Sequence, residues 1–158
     1  TVHSLMTDAV LRNEAEIHKY IGDEVIFTWT MRKGVDRNNG LDLYFDIMAR
    51  IAANESMLMQ EFGVVPKFRG ALHGGRVITA QTGHIRRTID FSGDVMNTLN
   101  RMLTVAKDLK ADLVVSAELL ARMPGATARF AFGEERTMPV KGRKREVRVH
   151  VVERVKAV

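Results

Sequence analysis

The stretch EIHKYIGDEVIFTW, Glu16–Trp29, decides how the fold is read. Apolar residues alternate along both halves, and Gly22-Asp23 interrupts them where a tight turn would sit. Two-residue hairpin turns need residues that tolerate positive φ, so the pattern predicts a β-hairpin with strands over Glu16–Tyr20 and Glu24–Thr30. The tip carries an acid, and Lys19 stands on the incoming strand three residues before the glycine. An aspartate at a tip is most often a turn former. It is also a hard oxygen donor of the kind Mg2+ accepts.

Upstream, Val2–Glu14 has Leu5, Met6, Ala9 and Val10 at helical spacing and reads as the end of a helix whose start is missing. Downstream, Arg32–Gly40 (RKGVDRNNG) reads as a polar loop. A long helix is then expected, with Leu41, Tyr44, Phe45, Met48, Ile51, Ala52, Leu58, Met59 and Phe62 on one face until Gly63. Phe68–Leu72 and Val77–Ala80 predict a second hairpin joined through His73-Gly74-Gly75, and Thr88–Phe91 a strand entering the next helix. That helix, Asp94–Leu109, carries Val95, Leu99, Met102, Leu103, Ala106 and Leu109 as its apolar stripe. A short strand (Asp112–Ser116), a short helix (Ala117–Met123) and terminal strands (Ala128–Phe132, Glu146–Val152) complete the pattern. With no repeat or linker, residues 1–158 predict one α+β domain, a sheet with helices on one face.

A hydrophobic content of 46% in 158 residues suffices for one core. The absence of cysteine excludes disulfides and thiolate metal sites and allows a reducing, cytoplasmic compartment. A net charge of +5 favours an anionic partner, although a solvated basic surface is the plainer explanation of charge alone. No apolar run approaches the roughly 20 residues of a membrane span, so no membrane contact by this domain is expected. The start at Thr1, already inside a helical pattern, reads as part of a longer polypeptide, whose tethering to a membrane stays open.

Several polar side chains are candidates for chemistry. At 100° per residue, Asn97 and Arg101 fall about 40° apart, opposite the apolar stripe. An amide and a guanidinium one turn apart can orient a polar ligand and neutralise phosphate, or can simply be a solvated face. Arg76 follows a Gly-Gly pair, where backbone can approach a ligand closely, and Lys141 lies in the basic run VKGRK. His18, His73 and His84 lack the spacing of a metal cluster and read as satisfied or exposed.

The order of these motifs resembles the catalytic domain of class III nucleotidyl cyclases, over Glu16 to Val152. KYIGDEV is similar to the family's hairpin, FRGALHGGRVITAQTG to its glycine-bearing central segment, DFSGDVMNTLNR to its Asp, Asn and Arg signature, and VKGRKREVRVHVV to its closing Lys-Gly strand. The resemblance implies a ferredoxin-like βαββαβ sandwich whose N-terminal strand is missing here. It implies that Asp23 binds metal, with two Mg2+ or Mn2+ ions per site. It gives Lys19 and Asp90 to the purine, Asn97 to the ribose, Arg101 to the α-phosphate, and Arg76 and Lys141 to the triphosphate. Lysine donating to N1 and aspartate accepting from the exocyclic amine match adenine, whereas guanine presents a donor and an oxygen there. ATP, cyclic AMP formation with release of pyrophosphate, and a homodimer with interfacial sites follow as expectations.

The family's second metal-binding aspartate, on a strand before the hairpin, has no counterpart among the 22 residues ahead of Asp23; Asp8 sits on a helical pattern. A catalytically weak or inactive cyclase-like nucleotide-binding and dimerisation module therefore stands beside the adenylate cyclase, and a guanylate cyclase is a further alternative. An RNA-binding role ranks last, because the strands lack paired exposed aromatics that would stack bases.

Overall fold

In the computed structural model, residues 2–82, 88–139 and 146–155 are described, with the backbone alone for 78–82 and 88–92. In chain order the elements are α1 (Val2–Arg12), β1 (Glu16–Ile21), β2 (Glu24–Thr28), α2 (Met31–Val35), a 3-10 turn (Asp36–Asn38), α3 (Asn39–Ala53), α4 (Glu55–Phe62), β3 (Gly70–Leu72), β4 (Ile78–Thr82), β5 (Thr88–Ser92), α5 (Asp94–Asp108), β6 (Leu113–Ser116), α6 (Ala117–Leu120), α7 (Ala126–Arg129), β7 (Phe130–Phe132), β8 (Arg136–Met138) and β9 (Val147–Arg154). This is the mixed α+β class that the pattern predicts. The described residues divide into two compact units, one built from 2–68, 122–129 and 154–155, the other from 69–82, 88–121, 130–139 and 146–153.

The first unit packs α1 on α3 and α4 through Met6, Ala9, Val10, Leu43, Ile47, Ile51 and Leu58, with Phe27 and Trp29 against the same cluster. Buried Asn13, just past α1, ties three elements together. Its Nδ2 donates to the Ala9 carbonyl at 2.8 Å and to Asp46 Oδ2 on α3 at 2.9 Å, and its carbonyl accepts from Trp29 Nε1 beyond β2 at 2.9 Å. The expected polar loop at Arg32–Gly40 is instead mostly helical, because Arg37 (φ 52) and Asn38 (φ 62) take left-handed conformations that let short turns follow one another. The single long helix expected after it is broken at Asn54 (φ −112, ψ 17), whose side chain donates to the Arg50 carbonyl in place of a continuing backbone bond. Gly63, at φ 69, ends α4 as the sequence predicts.

In the second unit β6 is central and fully buried, with the order β3-β6-β9-β7 and β8 also paired to β9. β3 runs parallel to β6, Gly70 opposite Leu113, and β6 runs antiparallel to β9, Val114 opposite Val151. The hairpin expected between Phe68–Leu72 and Val77–Ala80 is therefore corrected: β3 pairs with β6, and β4 forms an antiparallel ladder with β5. A parallel pair needs a crossover of a dozen or more residues, and α5 lies within it. α5 buries Thr98, Met102 and Ala106, a stripe at i, i+4 and i+8, while Leu109 of the expected stripe is exposed. Met102 and Ala106 join Val114, Met138, Val147 and Val149 in one core. Two short elements depart from expectation: α7 occupies the start of the Ala128 strand, and β8 was not foreseen. Strands expected in one sheet form three sheets among the described residues.

Candidate functional site

The β1–β2 hairpin closes with Ile21 opposite Glu24, leaving Gly22 and Asp23 as the two turn residues. Gly22 has φ 60, the sign that glycine adopts without a Cβ penalty, and Asp23 is exposed at the tip. The ladder shifts register between Ile17 and Lys19, with Ile17 opposite Phe27 and Lys19 opposite Ile26. His18 is thus an extra residue, a bulge that adds local twist just before Lys19. Lys19 is exposed beside the buried Ile26 of the opposing strand.

The second set of residues is built around α5. Gly93, at φ 117, turns the chain into the helix, and Asp94 in the first turn complements its dipole. With Thr98 and Met102 turned to the core, Asn97 is exposed and Arg101 half-buried. They are four residues apart, so they share a side of the helix.

Arg76 is exposed and lies in a segment, residues 73–77, without regular structure. His73 at its start bonds through Nδ1 to Ser116 Oγ at 2.8 Å, and that hydroxyl also accepts the Leu119 N–H at 3.3 Å as the cap of α6. A Cβ built on Gly75 would lie 2.8 Å from Val95 Cγ2, so this backbone rests against the first turn of α5. Val95 and Asn97 are about 200° apart around the helix. The Arg76 segment therefore reaches α5 on the side away from Asn97.

Asp90 lies on β5 opposite Ala80. Lys141 and His84 lie outside the described residues. Lys19 and Asp23 belong to the first unit, and Arg76, Asp90, Asn97 and Arg101 to the second. The His73–Ser116 bond is the feature that sequence reasoning missed; serine before a short helix signals a cap, but a partner 43 residues away leaves no local trace.

Among the described residues no group of three or more His, Asp or Glu side chains could hold a metal ion. Asp23 alone does not make the two-cation centre that the resemblance implies. Among the same residues, no helix is long and apolar enough to cross a membrane.

No protein-family profile matches the chain. Adenylate cyclase 2 of Rhizobium meliloti (strain 1021) is 34% identical over 118 residues, covering 75% of this chain and 32% of that protein. The chain thus spans about a third of the length of that relative. Among solved structures, the guanylyl cyclase Cya2 matches with a TM-score of 0.75 at 16% identity, over 96% of this chain and 76% of its own. The adenylyl cyclase CyaB from P. aeruginosa matches with a TM-score of 0.70 at 17% identity, over 98% of this chain and 80% of its own. The likeness to these two is one of fold.

Proposed function

The chain belongs to the class III nucleotidyl cyclase family, and from that premise we propose that it is the catalytic domain of an adenylate cyclase, converting ATP to 3′,5′-cyclic AMP and pyrophosphate. The observation that carries the proposal is α5, which turns Asn97 and Arg101 away from the core on one side of a helix whose other side is buried. Asn97 orients the ribose, and Arg101 neutralises charge that builds on the α-phosphate as the 3′-oxygen attacks. The new bond joins O3′ to the α-phosphorus, the bond from that phosphorus to the bridging oxygen breaks, and the hydroxyl proton is lost as pyrophosphate leaves. Arg76 and Lys141 hold the triphosphate. Lys19 and Asp90 read the adenine edge.

Asp23 is proposed as one ligand to Mg2+ or Mn2+, and further oxygen donors must complete any such centre. The separation on α5 between the Gly75 contact and Asn97 supports an arrangement in which Arg76 and Asn97 of one chain serve different sites of a homodimer. The protein incubated with ATP and Mn2+ is expected to form cyclic AMP, with Arg101→Ala and Asp23→Ala each lowering the rate at least a hundredfold. Unchanged rates in both variants would sink the assignments.

A second reading, a nucleotide-binding module without turnover, is favoured by the single carboxylate at the hairpin tip. ATP binding without product selects it. Product from GTP and not from ATP selects a guanylate cyclase, the activity named for Cya2.

A further inference from the structure

We propose that His73 and Ser116 are positioning residues for Arg76, fixing the 73–76 segment along the one backbone path from which its guanidinium meets the triphosphate. The inference rests on the nucleotidyl cyclase reading of Arg76. β3 ends at Leu72, and residues 73–77 carry no regular structure. Gly74-Gly75 is the least constrained backbone a chain can have. An exposed arginine directly after it would sample many positions unless the segment were tied.

Two ties hold the segment, one just before the glycine pair and one within it. The first is the 2.8 Å bond from His73 to Ser116. Its anchor is rigid, because Ser116 is fully buried, ends the central strand and caps α6 with the same oxygen. With one lone pair accepting the Leu119 N–H, the hydroxyl still has a proton to donate and a second lone pair to offer, so it satisfies Nδ1 in either tautomer. The second tie is the seating of Gly75 on Val95 Cγ2, which leaves no room for a side chain at residue 75. Between them the ties hold the segment against β6 on one side and α5 on the other, and Arg76 is the next residue.

The test measures cyclic AMP formation at varied ATP, with thermal unfolding of each variant alongside. His73→Leu is expected to raise KM for ATP about tenfold with little change in unfolding midpoint, and His73→Asn, which keeps a polar atom near the Nδ1 position, to recover most of it. Gly75→Ala is expected to impair the enzyme similarly, and the added Val95→Ala to restore it by removing the clashing methyl. The decisive comparison is the double variant His73→Leu/Arg76→Ala, expected to be no worse than Arg76→Ala alone. Multiplying effects of the two changes, or a fall in kcat at unchanged KM with a lowered midpoint, overturn the inference and leave the cyclase reading standing. Wild-type kinetics in Arg76→Ala overturn the role of Arg76 and this inference with it. An unmodified protein that makes no cyclic nucleotide and binds no ATP overturns both readings.

Discussion

In the proposed adenylate cyclase, Lys19 is the side chain that would decide the substrate. As a donor it complements adenine N1 and opposes the N–H that guanine presents there. A site built to hydrogen-bond one partner rejects its mismatch strongly, so Lys19→Glu is expected to lower kcat/KM for ATP by about a hundredfold or more while improving relative use of GTP, as read by product chromatography with the two nucleotides in competition. Three residues on, Gly22 contributes through its backbone. A Cβ there meets nothing within 4 Å, so Gly22→Ala adds no clash and costs only the left-handed conformation at φ 60. That cost is about 1–2 kcal/mol, to be read from the urea midpoint. The turn at Gly22-Asp23 and the shared outward side of Asn97 and Arg101 are legible in the sequence, since both follow from short local spacing. The bulge at His18 is not, because register depends on the partner strand and not on β1 itself.

At the scale of elements, Asn13 holds the end of α1, the residue after β2 and the face of α3 in one set of hydrogen bonds. Asn13→Leu would remove the Nδ2 bonds to the Ala9 carbonyl and Asp46 Oδ2 while keeping the main-chain carbonyl that Trp29 Nε1 uses, and is expected to cost about 1–3 kcal/mol. Trp29 is the only tryptophan of the chain, so its emission reports the change directly. The β1–β2 hairpin and α5 were legible because their periodicities are local: alternation on one, a repeat of three to four on the other. The segment at Arg32–Gly40 was not, because non-glycine residues at positive φ carry no reliable sequence signal. The break at Asn54 was equally hidden, since the apolar stripe runs on through both α3 and α4. Pairing of β3 with β6 was misread for a different reason: adjacent strands favour a hairpin, and nothing local in Gly70–Leu72 announces a partner 43 residues further on.

For the whole molecule, the candidate residues divide between two units, Lys19 and Asp23 in one and Arg76, Asp90, Asn97 and Arg101 in the other. If Asp23 and Asn97 of one chain serve different sites of a homodimer, Asp23→Ala and Asn97→Ala are each inactive alone and complement each other when mixed. Random pairing leaves about a quarter of the sites intact, so the mixture is expected to regain about a quarter of the wild-type rate. Chains that stay inactive on mixing, although dimeric by light scattering, would argue against shared sites.

The position of β6 has a consequence for biogenesis. Its four buried residues lie between β3, made earlier, and β9, near the end of the described chain. A ribosome therefore releases a greasy strand with one open edge and must add more than thirty residues before the edge is covered, an interval in which such strands recruit chaperones or one another. Chains stalled ahead of Val147 are expected to accumulate in inclusion bodies, while those carried through Arg154 remain in the supernatant.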